Sequence, residues 1–331
     1  MQPLFARRIE SPAFLERTTK LPIILSQSKE LFKNKLLIFS CFSLISTLKT
    51  GVFSFSLIEP MLNIHLFTTQ NLSFGMLVLP FCKQICSYCD FCKVLHIDSF
   101  VNNYLEALQR EIESSYKGER IKTLYIGGGT PSSLNKEQRI KLFRILEIFN
   151  KTPDCEYTFE CNPQDITEEF LDDIVTGGVN RLSIGIESFD EDNLKILERH
   201  VDFKDIQNKI SMIKKRGILN INLDLMYAIP GEKISTLKKD IAKLVKLGPT
   251  HISTYSLILE DHTKLGTNGT QYISEELDRH LKYSRFSEKY LLELLNEIAN
   301  HIKIDSSKIK LNVRYISSKV HIKYAGLYRQ G

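Results

Sequence analysis

From Gly75 onward, the chain alternates short apolar runs with longer stretches in which apolar residues recur every three or four positions. Short apolar runs are typical of buried strands, and the recurring spacing predicts amphipathic helices. The predicted strands are residues 76–79, 122–126, 156–160, 181–186, 220–226 and 251–257. The predicted helices are residues 99–116 and 136–149, a helix that begins after the N-cap residue Thr167, and residues 192–198, 204–216 and 235–247.

The strict alternation of strand and helix defines the expected fold class. Strands joined through helices by short connections form a parallel sheet with right-handed crossovers. Six such units are too few for a closed eight-stranded barrel, so we expect an α/β fold with a partial, TIM-like (β/α)6 barrel. In such a barrel, functional residues should lie at the C-terminal ends of the strands.

The predicted core is flanked by two regions without a chemical motif. Residues 1–75 form an unassigned N-terminal extension, residues 76–265 the core domain, and residues 266–331 a divergent or truncated C-terminal region. Within the last region the pattern predicts a helix over residues 275–302 and one or two strands over residues 309–324. We therefore expect an atypical, largely helical C-terminal extension.

The composition and charge of this 331-residue chain limit the classes of partner and the cellular location that we expect. Its net charge of +5 is slight for this length and gives no reason to expect nucleic-acid binding. The most apolar segment, residues 36–62, contains an uncharged stretch of about two-thirds of the ~20 residues that a membrane span requires. Lys49 ends that stretch, so we predict no membrane span. Acidic and many polar residues precede the segment, so we predict no secretory signal either. Crowded cysteines in a long chain favour metal binding in a reducing, cytoplasmic location.

Three cysteines carry the strongest chemical signal. Cys82, Cys86 and Cys89 follow the order C-x-x-x-C-x-x-C. Three thiolates on one loop can hold three irons of a 4Fe–4S cube and leave the fourth iron open to an external ligand. The alternative is zinc, which takes four ligands, commonly as two close pairs. Cys92 could be a fourth ligand, but the crowding on one loop favours the cube, and the role of Cys92 stays open.

A glycine loop and several carboxylates lie on the later strands. Gly127-Gly-Gly-Thr-Pro131 predicts either a tight turn or a close backbone approach to a ligand, which the cysteine loop favours. Glu160 and Glu187 lie at the ends of two predicted strands, and Asp224 lies within the fifth. An unpartnered carboxylate is costly to bury in an otherwise apolar strand, and we expect all three to converge on the same end of the sheet. Arg199 is the candidate cation. Glu187 and Arg199 could also form a simple ion pair, and Asp224 could cap a neighbouring loop.

The ordered motifs are Pro-Phe-Cys-x-x-x-Cys-x-Tyr-Cys-Asp-Phe from residue 80, Tyr-Ile-Gly-Gly-Gly-Thr-Pro from residue 125, Gly-Val-Asn-Arg-Leu-Ser-Ile-Gly-Ile-Glu-Ser-Phe from residue 178, Arg199-His200, and Asp-Leu-Met-Tyr-Ala-Ile-Pro-Gly from residue 224. As a series they resemble the HemN/HemW family of the radical S-adenosylmethionine (SAM) superfamily. That family contains the oxygen-independent coproporphyrinogen III oxidase and a related heme chaperone. The resemblance covers roughly residues 76–265.

The resemblance implies a role for each matching residue. It assigns the cluster to Cys82, Cys86 and Cys89. It assigns the SAM methionine end to Gly127, Gly128 and Thr130. Glu160 would meet the SAM ribose, Arg199 the SAM carboxylate, and Asp224 the same pocket. Glu187 stands where the family typically carries Gln, so its contact with SAM is expected to be altered, because an ionised carboxylate cannot donate a hydrogen bond.

The implied chemistry is reductive cleavage of SAM to a 5′-deoxyadenosyl radical in heme or porphyrin metabolism. The implied partners are SAM, heme or a porphyrinogen, and a reductant such as flavodoxin or ferredoxin. Phe91 stands where the oxidase typically carries another cysteine, which favours the heme chaperone. Whether the protein is an enzyme stays open: the alternative is oxidative decarboxylation of coproporphyrinogen III to protoporphyrinogen IX, and a third possibility is a nonfunctional core.

The chain also departs from the family pattern. The family's Tyr-x-His-x-Pro-Phe-Cys lead-in is replaced here by Met76-Leu-Val78-Leu-Pro-Phe-Cys82, and the His-Asn-x-x-Tyr-Trp signature of heme handling is absent. Residues 1–75 match nothing in the family, and Met76 stands where a family member could start. We hypothesise that a misplaced start and a frameshift produced the two flanks.

Overall fold

A computed structural model describes residues 64–69, 72–260, 262–267, 296–297, 300 and 309–314. All of these residues belong to Cys41–Gly331, the second of the two units into which the chain divides. The strands are β1 (Ile64–Thr69), β2 (Leu72–Leu79), β3 (Phe81–Cys82), β4 (Val94–Leu95), β5 (Ile121–Gly128), β6 (Lys151–Cys161), β7 (Arg181–Glu187), β8 (Asn220–Tyr227), β9 (His251–Ser256) and β10 (Lys310–Arg314).

Eight of the strands form one sheet in the order β1-β2-β5-β6-β7-β8-β9-β10. Strand β1 pairs antiparallel with β2, and every other neighbouring pair in this sheet is parallel. Strands β3 and β4 form a separate, two-residue parallel pair. Because the parallel strands run in the same direction, their C-terminal ends share one edge of the sheet.

The helices are α1 (Asp98–Ser115), α2 (Lys136–Leu146), α3 (Glu168–Thr176), α4 (Glu191–Leu197), α5 (Phe203–Lys215), α6 (Ile234–Leu247) and α7 (Lys264–Thr267). Several begin at a side-chain cap that satisfies an otherwise unpaired backbone N–H. Asn135 and Gln138 form a reciprocal capping box at α2, and Thr167 accepts from the Phe170 N–H at α3. The predicted cap at Thr167 is therefore confirmed.

Residues alternate between the two faces of the sheet. On β6, Phe159 is fully buried and packs against Phe143 of α2 and Phe170 of α3, with ring centroids 6.0 Å apart in both pairs. The opposite face carries polar side chains: Asn222 donates to Ser183 (2.9 Å), and Ser253 donates to Asn222 (2.9 Å). The helices thus cover an apolar outer face, while the inner face is buried yet polar.

The structure confirms the α/β partial barrel and all six predicted strands of the core, and it adds β1, β3 and β4. The start of β2 at Leu72 was missed because residues 1–74 show no clear period. The proposed domain start, Met76, lies inside β2, and residue 265 lies inside α7. Strand β10 falls within the predicted strand region 309–324.

Two predictions concern residues that are largely not described. Of the predicted helix 275–302, the structure describes only residues 296–297 and 300, all three of which are helical. The apolar segment 36–62 lies outside the described residues. Within the described part of the chain, every helix is too short or too polar to cross a membrane.

A buried ion pair joins α2 to α3 and provides a test of this packing. Arg139 Nε and Nη2 donate to Asp173 Oδ2 at 3.0 and 2.6 Å, and Nη1 donates to the Leu134 carbonyl oxygen at 2.6 Å. Asp173→Ala would leave the Arg139 charge buried without its partner, which typically costs about 3–5 kcal/mol. We expect a correspondingly large fall in the free energy of unfolding, measured by urea denaturation of the full chain.

A second ion pair between the same two helices serves as the control. Lys136 and Glu169 lie 2.9 Å apart, but about half of each side chain is exposed. Exposed pairs contribute little to stability. Glu169→Ala should therefore leave the urea midpoint close to that of the wild type. Equal losses in the two variants would show that burial of Arg139 does not determine the effect.

Candidate functional site

The residues predicted to form a site lie at or near the C-terminal edge of the sheet. Cys82 comes three residues after β2, and Gly127 and Gly128 end β5. Glu160 is the penultimate residue of β6, and Glu187 ends β7. Asp224 lies further down, within β8, and Arg199 follows α4. Apart from Asp224, these residues therefore lie at the same edge of the sheet.

The first cysteine is held between two backbone segments. On one side β3 pairs with β4, and His96 N–H donates to the Cys82 carbonyl oxygen at 2.9 Å. On the other side Gly129 N–H donates to the Leu79 carbonyl oxygen at 2.7 Å, and Thr130 N–H donates to that of Phe81 at 2.8 Å. The glycine loop and the entry to the cysteine loop are therefore one hydrogen-bonded unit.

The glycines of that loop allow this close contact. A Cβ atom on Gly129 would lie 2.7 Å from the Pro80 carbonyl carbon, and one on Gly127 would lie 2.8 Å from Glu160 Oε2. Gly128 has a φ of 116°, a conformation that side chains rarely allow. The tight-turn interpretation of the loop is thus correct for its backbone, and the same turn brings the loop against both Cys82 and Glu160.

The thiols of the cysteine loop interact electrostatically. Burial raises the pKa of the Cys82 thiol to about 11; the hydrogen bond from the Thr130 hydroxyl, at 3.5 Å, lowers it, and charges on Cys89 and Cys86 raise it further. The nearby positive charge of Lys93 lowers the pKa of Cys82, but burial outweighs it. Among the described residues, no three His, Cys, Asp or Glu side chains are arranged to hold a single metal ion.

The buried carboxylate of Glu160 is held by the glycine loop and a tyrosine. The Tyr125 hydroxyl donates to Oε1 at 2.5 Å, and Gly128 N–H donates to Oε2 at 3.1 Å. These two hydrogen bonds offset the cost of burying a carboxylate near the end of an apolar strand. Tyr125 belongs to the quoted motif, but the sequence had suggested no role for it.

Arg199 contacts three groups around the cysteine loop. Its Nη2 donates to Asn162 Oδ1 at 2.7 Å and to the Gly185 carbonyl oxygen, and its Nη1 donates to Cys86 Sγ at 3.7 Å. Burial opposes its charge, but charges on Tyr88, Glu187 and Cys86 raise the pKa of Arg199 above its ordinary value. Glu187 therefore acts on Arg199 as one of several nearby charges, and not as its partner in an isolated ion pair.

Glu187 adopts a strained backbone conformation at the end of β7. Its φ is 69°, in the left-handed region, which costs a non-glycine residue about 1–3 kcal/mol. Its carboxylate accepts a hydrogen bond from the Tyr255 hydroxyl. Ala228, with a φ of 63°, shares this conformation just after β8. Glu198, with a φ of 53°, is the left-handed residue that ends α4, which is a common way for a helix to end. Strain of this kind concentrates at functional sites.

A buried polar network holds the turn that follows Glu187. Asp240 of α6 accepts from the Ser188 hydroxyl at 2.5 Å and from Phe189 N–H at 3.1 Å. Asn193 donates to Ser188 Oγ at 3.3 Å and to Glu232 Oε1 at 3.1 Å. The network links the β7–α4 and β8–α6 loops, and the sequence motifs gave no indication of it because its members are far apart in the chain.

Asp224 faces the polar inner side of the sheet. It accepts from Asn222 Nδ2 at 2.8 Å and lies opposite Gly185 of β7 and Ser253 of β9. Its negative charge contributes to the raised pKa of Tyr255, whose main cause is burial. Asp224 therefore contributes negative charge to the interior beside Glu187.

Residues 262–267 close one side of the site. Leu265 N–H donates to the Ser87 carbonyl oxygen at 2.8 Å, and Lys264 pairs with Glu198. The Leu265 side chain joins a small apolar cluster: Leu197, Met226, Ile229 and Leu257, with Tyr88, Ile196, Tyr255 and Leu259 packed against it. The site thus has a charged side at Arg199 and an apolar side beside Tyr88.

Comparisons with known proteins show the family to which this chain belongs. A family model of the Radical SAM superfamily matches residues 76–244. The heme chaperone HemW of Lactococcus lactis is 39% identical over 189 residues, which cover 56% of this chain and 49% of that protein. HemW of Bacillus subtilis is 38% identical over 190 residues, which cover 56% and 50%. The chain spans about half the length of these curated relatives.

A solved structure supports the same relationship. Coproporphyrinogen III oxidase HemN from Escherichia coli, described as a radical SAM enzyme, superposes with a TM-score of 0.57 at 25% sequence identity. The match covers 70% of this chain and 52% of HemN. The resemblance to the HemN/HemW family that the motifs indicated is therefore confirmed.

The buried carboxyl of Glu232 makes stability depend on pH. Burial raises its pKa to about 7 from an ordinary 4.5, against opposing hydrogen bonds from the Ile229 and Ala228 N–H groups. The folded protein therefore takes up a proton more readily, which adds stability below about pH 4.5 that is lost as the pH rises through about 7. Glu232→Gln cannot ionise, so its stability relative to wild type should rise by about 1–3 kcal/mol across this range.

Urea denaturation of both proteins from pH 4.5 to pH 8 measures this difference. Glu191→Gln, which changes an exposed carboxylate at the start of α4, is the matched control and should follow the wild-type curve. A constant difference between Glu232→Gln and wild type at every pH would contradict the assignment.

Proposed function

The chain belongs to the radical SAM superfamily, and we propose that it is a HemW-like heme chaperone whose core binds a 4Fe–4S cluster and SAM. The observation that carries the proposal is the placement of Arg199 against Cys86 on one side of the cysteine loop, with Thr130 against Cys82 on the other. Because the chain spans about half of its HemW relatives, the proposal concerns this core.

The residues present suit an iron–sulfur cube. Cys82, Cys86 and Cys89 are close enough for their charges to interact, and burial at Cys82 disfavours an uncompensated thiolate. Iron would supply the missing positive charge, and thiolates are the usual ligands of such clusters. Arg199 provides a second, permanent positive charge, since a guanidinium stays protonated in proteins. When reduced, the cluster would supply one electron to the sulfonium of bound SAM.

The remaining residues would bind and orient SAM. We assign the ribose hydroxyls to Glu160, whose carboxylate is already fixed by Tyr125 and Gly128. Arg199 would pair with the SAM carboxylate, and Gly127 and Thr130 would line the methionine end. Asp224 would add an acceptor from the inner face. The apolar cluster beside Tyr88 would exclude water from this side of the pocket.

Glu187 would contribute an altered contact. It accepts a hydrogen bond from Tyr255 and sits in a strained turn, so its carboxylate is held in one orientation. A neutral amide at this position could donate a hydrogen bond to SAM, whereas an ionised carboxylate can only accept one. We therefore assign Glu187 to groups of SAM that donate, such as its amine.

Heme is the cargo that this proposal favours. The HemW relatives at 38–39% identity are heme chaperones, and Phe91 occupies the position where the oxidase typically carries a further cysteine. Porphyrinogen oxidation is the second candidate, supported by the likeness to HemN. A reducing location and a low-potential electron donor follow from the cluster in either case.

Cysteine variants test the cluster directly. After anaerobic reconstitution, Cys82→Ala, Cys86→Ala and Cys89→Ala should each lose the iron content and the EPR signal of the reduced wild-type protein. Cys155→Ala removes a buried cysteine of β6 outside the cysteine loop and should keep both. Cys92→Ala should also keep them, since it is not assigned as a ligand. A cluster that survives Cys82→Ala would contradict the proposal.

Parallel assays separate the two candidate functions. With SAM and dithionite, 5′-deoxyadenosine, decarboxylated porphyrin and heme binding are measured on one reconstituted sample. The chaperone predicts heme binding by the full chain without porphyrinogen turnover. Decarboxylation of coproporphyrinogen III would instead establish the oxidase.

A further inference from the structure

A chain of hydrogen bonds leaves the cysteine loop and returns to it. Lys83 Nζ donates to Asp165 Oδ1, and the Ser132 hydroxyl donates to Asp165 Oδ2, both at 2.8 Å. Ser132 Oγ in turn accepts from Asn162 N–H at 2.9 Å. Asn162 Oδ1 then accepts from Arg199, whose Nη1 donates to the sulfur of Cys86. Asn162 therefore connects Ser132 to Arg199, which contacts the proposed cluster ligand Cys86.

The side chain and the backbone of Asn162 make different hydrogen bonds. Its backbone N–H is bound to Ser132, and it precedes the 3-10 turn Pro163–Asp165 without a capping hydrogen bond from its side chain. The described contact of its side-chain oxygen is with Arg199 Nη2, at 2.7 Å. Removal of the side chain should therefore affect Arg199 much more than the local turn.

The position of Arg199 depends on that contact because a guanidinium is planar and rigid. Its N–H groups form a fixed fork, so an acceptor that holds Nη2 also fixes the direction of Nη1. Asn162 and the Gly185 carbonyl oxygen hold Nη2, and Nη1 consequently points to Cys86 Sγ, 3.7 Å away. Arg199 Nε is buried and has no hydrogen-bond partner among the described residues.

We propose that Asn162 is a positioning residue that directs the Arg199 guanidinium at the Cys86 sulfur and thereby raises the reduction potential of the cluster. The inference rests on the proposed function, since it requires the cluster. On reduction the cluster accepts one electron from a low-potential donor and gains one negative charge, while no bond is made or broken. A cation and a hydrogen bond at a ligand sulfur stabilise that added charge.

The test is an EPR-monitored redox titration of the reconstituted full chain without SAM, so that contacts of Arg199 with SAM do not contribute. Asn162→Ala should lower the potential. We expect about a tenfold change in the one-electron equilibrium, which corresponds to about 59 mV. Asn162→Ser, whose hydroxyl is too short to reach Nη2, should show the same fall and provides a second variant should alanine impair folding.

A matched asparagine controls for general effects. Asn180 accepts from Tyr157 N–H at 2.9 Å and donates to the Cys155 carbonyl oxygen at 2.8 Å, next to the opposite end of β7. Asn180→Ala should leave the potential at the wild-type value. An equal fall in Asn180→Ala would mean that the effect reflects loosened packing, and the proposal would be wrong.

A double-mutant cycle tests whether Asn162 acts through Arg199. Arg199→Lys keeps the charge but loses the fork, so it should lower the potential by itself. Adding Asn162→Ala should then cause little further change, because the contact it removes is already lost. If the two substitutions lower the reduction potential additively, the inference about Asn162 is wrong, while the proposed function stands. The same holds if Asn162→Ala keeps the wild-type potential with its cluster intact. Absence of any cluster in the wild type would overturn the proposed function as well.

Discussion

The site depends on a close backbone contact between the glycine loop and the segment that enters the cysteine loop. Gly129 and Thr130 donate their N–H groups to Leu79 and Phe81, at distances that leave no room for a Cβ atom on Gly129. This contact fixes Cys82 relative to the end of β5. Gly127 packs equally closely on Glu160, so one turn sets the positions of the cysteine loop and the carboxylate together.

The site must also hold several charged groups at a largely buried edge of the sheet. An unpartnered charge in such a place is costly, and each carboxylate here has a fixed donor: Tyr125 and Gly128 for Glu160, Tyr255 for Glu187, and Asn222 for Asp224. Arg199 is held by neutral oxygens on one nitrogen and reaches a thiol with another. None of these hydrogen-bond partners is a carboxylate. We therefore propose that the positive charge of Arg199 acts on two anionic groups, the SAM carboxylate and the cluster.

Much of this arrangement was predictable, because the signals were local. Apolar runs gave six strands, the cap at Thr167 gave the start of α3, and the parallel direction of the strands placed Glu160 and Glu187 at one edge. Strand β1 and the start of β2 were missed because their residues lack a clear alternation. The partners Asn162 and Asp240 were missed for another reason: each acts on a residue 37 to 52 positions away in the chain.

The sequence by itself therefore determined the fold class, the cysteine triad and the set of candidate ligands, since spacing and period are properties of short segments. Only the tertiary structure decided which side chains form hydrogen bonds with one another. It placed Tyr125 on Glu160, Asp240 behind the strained turn at Glu187, and Asn162 on Arg199. Hydrogen bonds between loops depend on strand register and on the curvature of the whole sheet, and neither is encoded in any single motif.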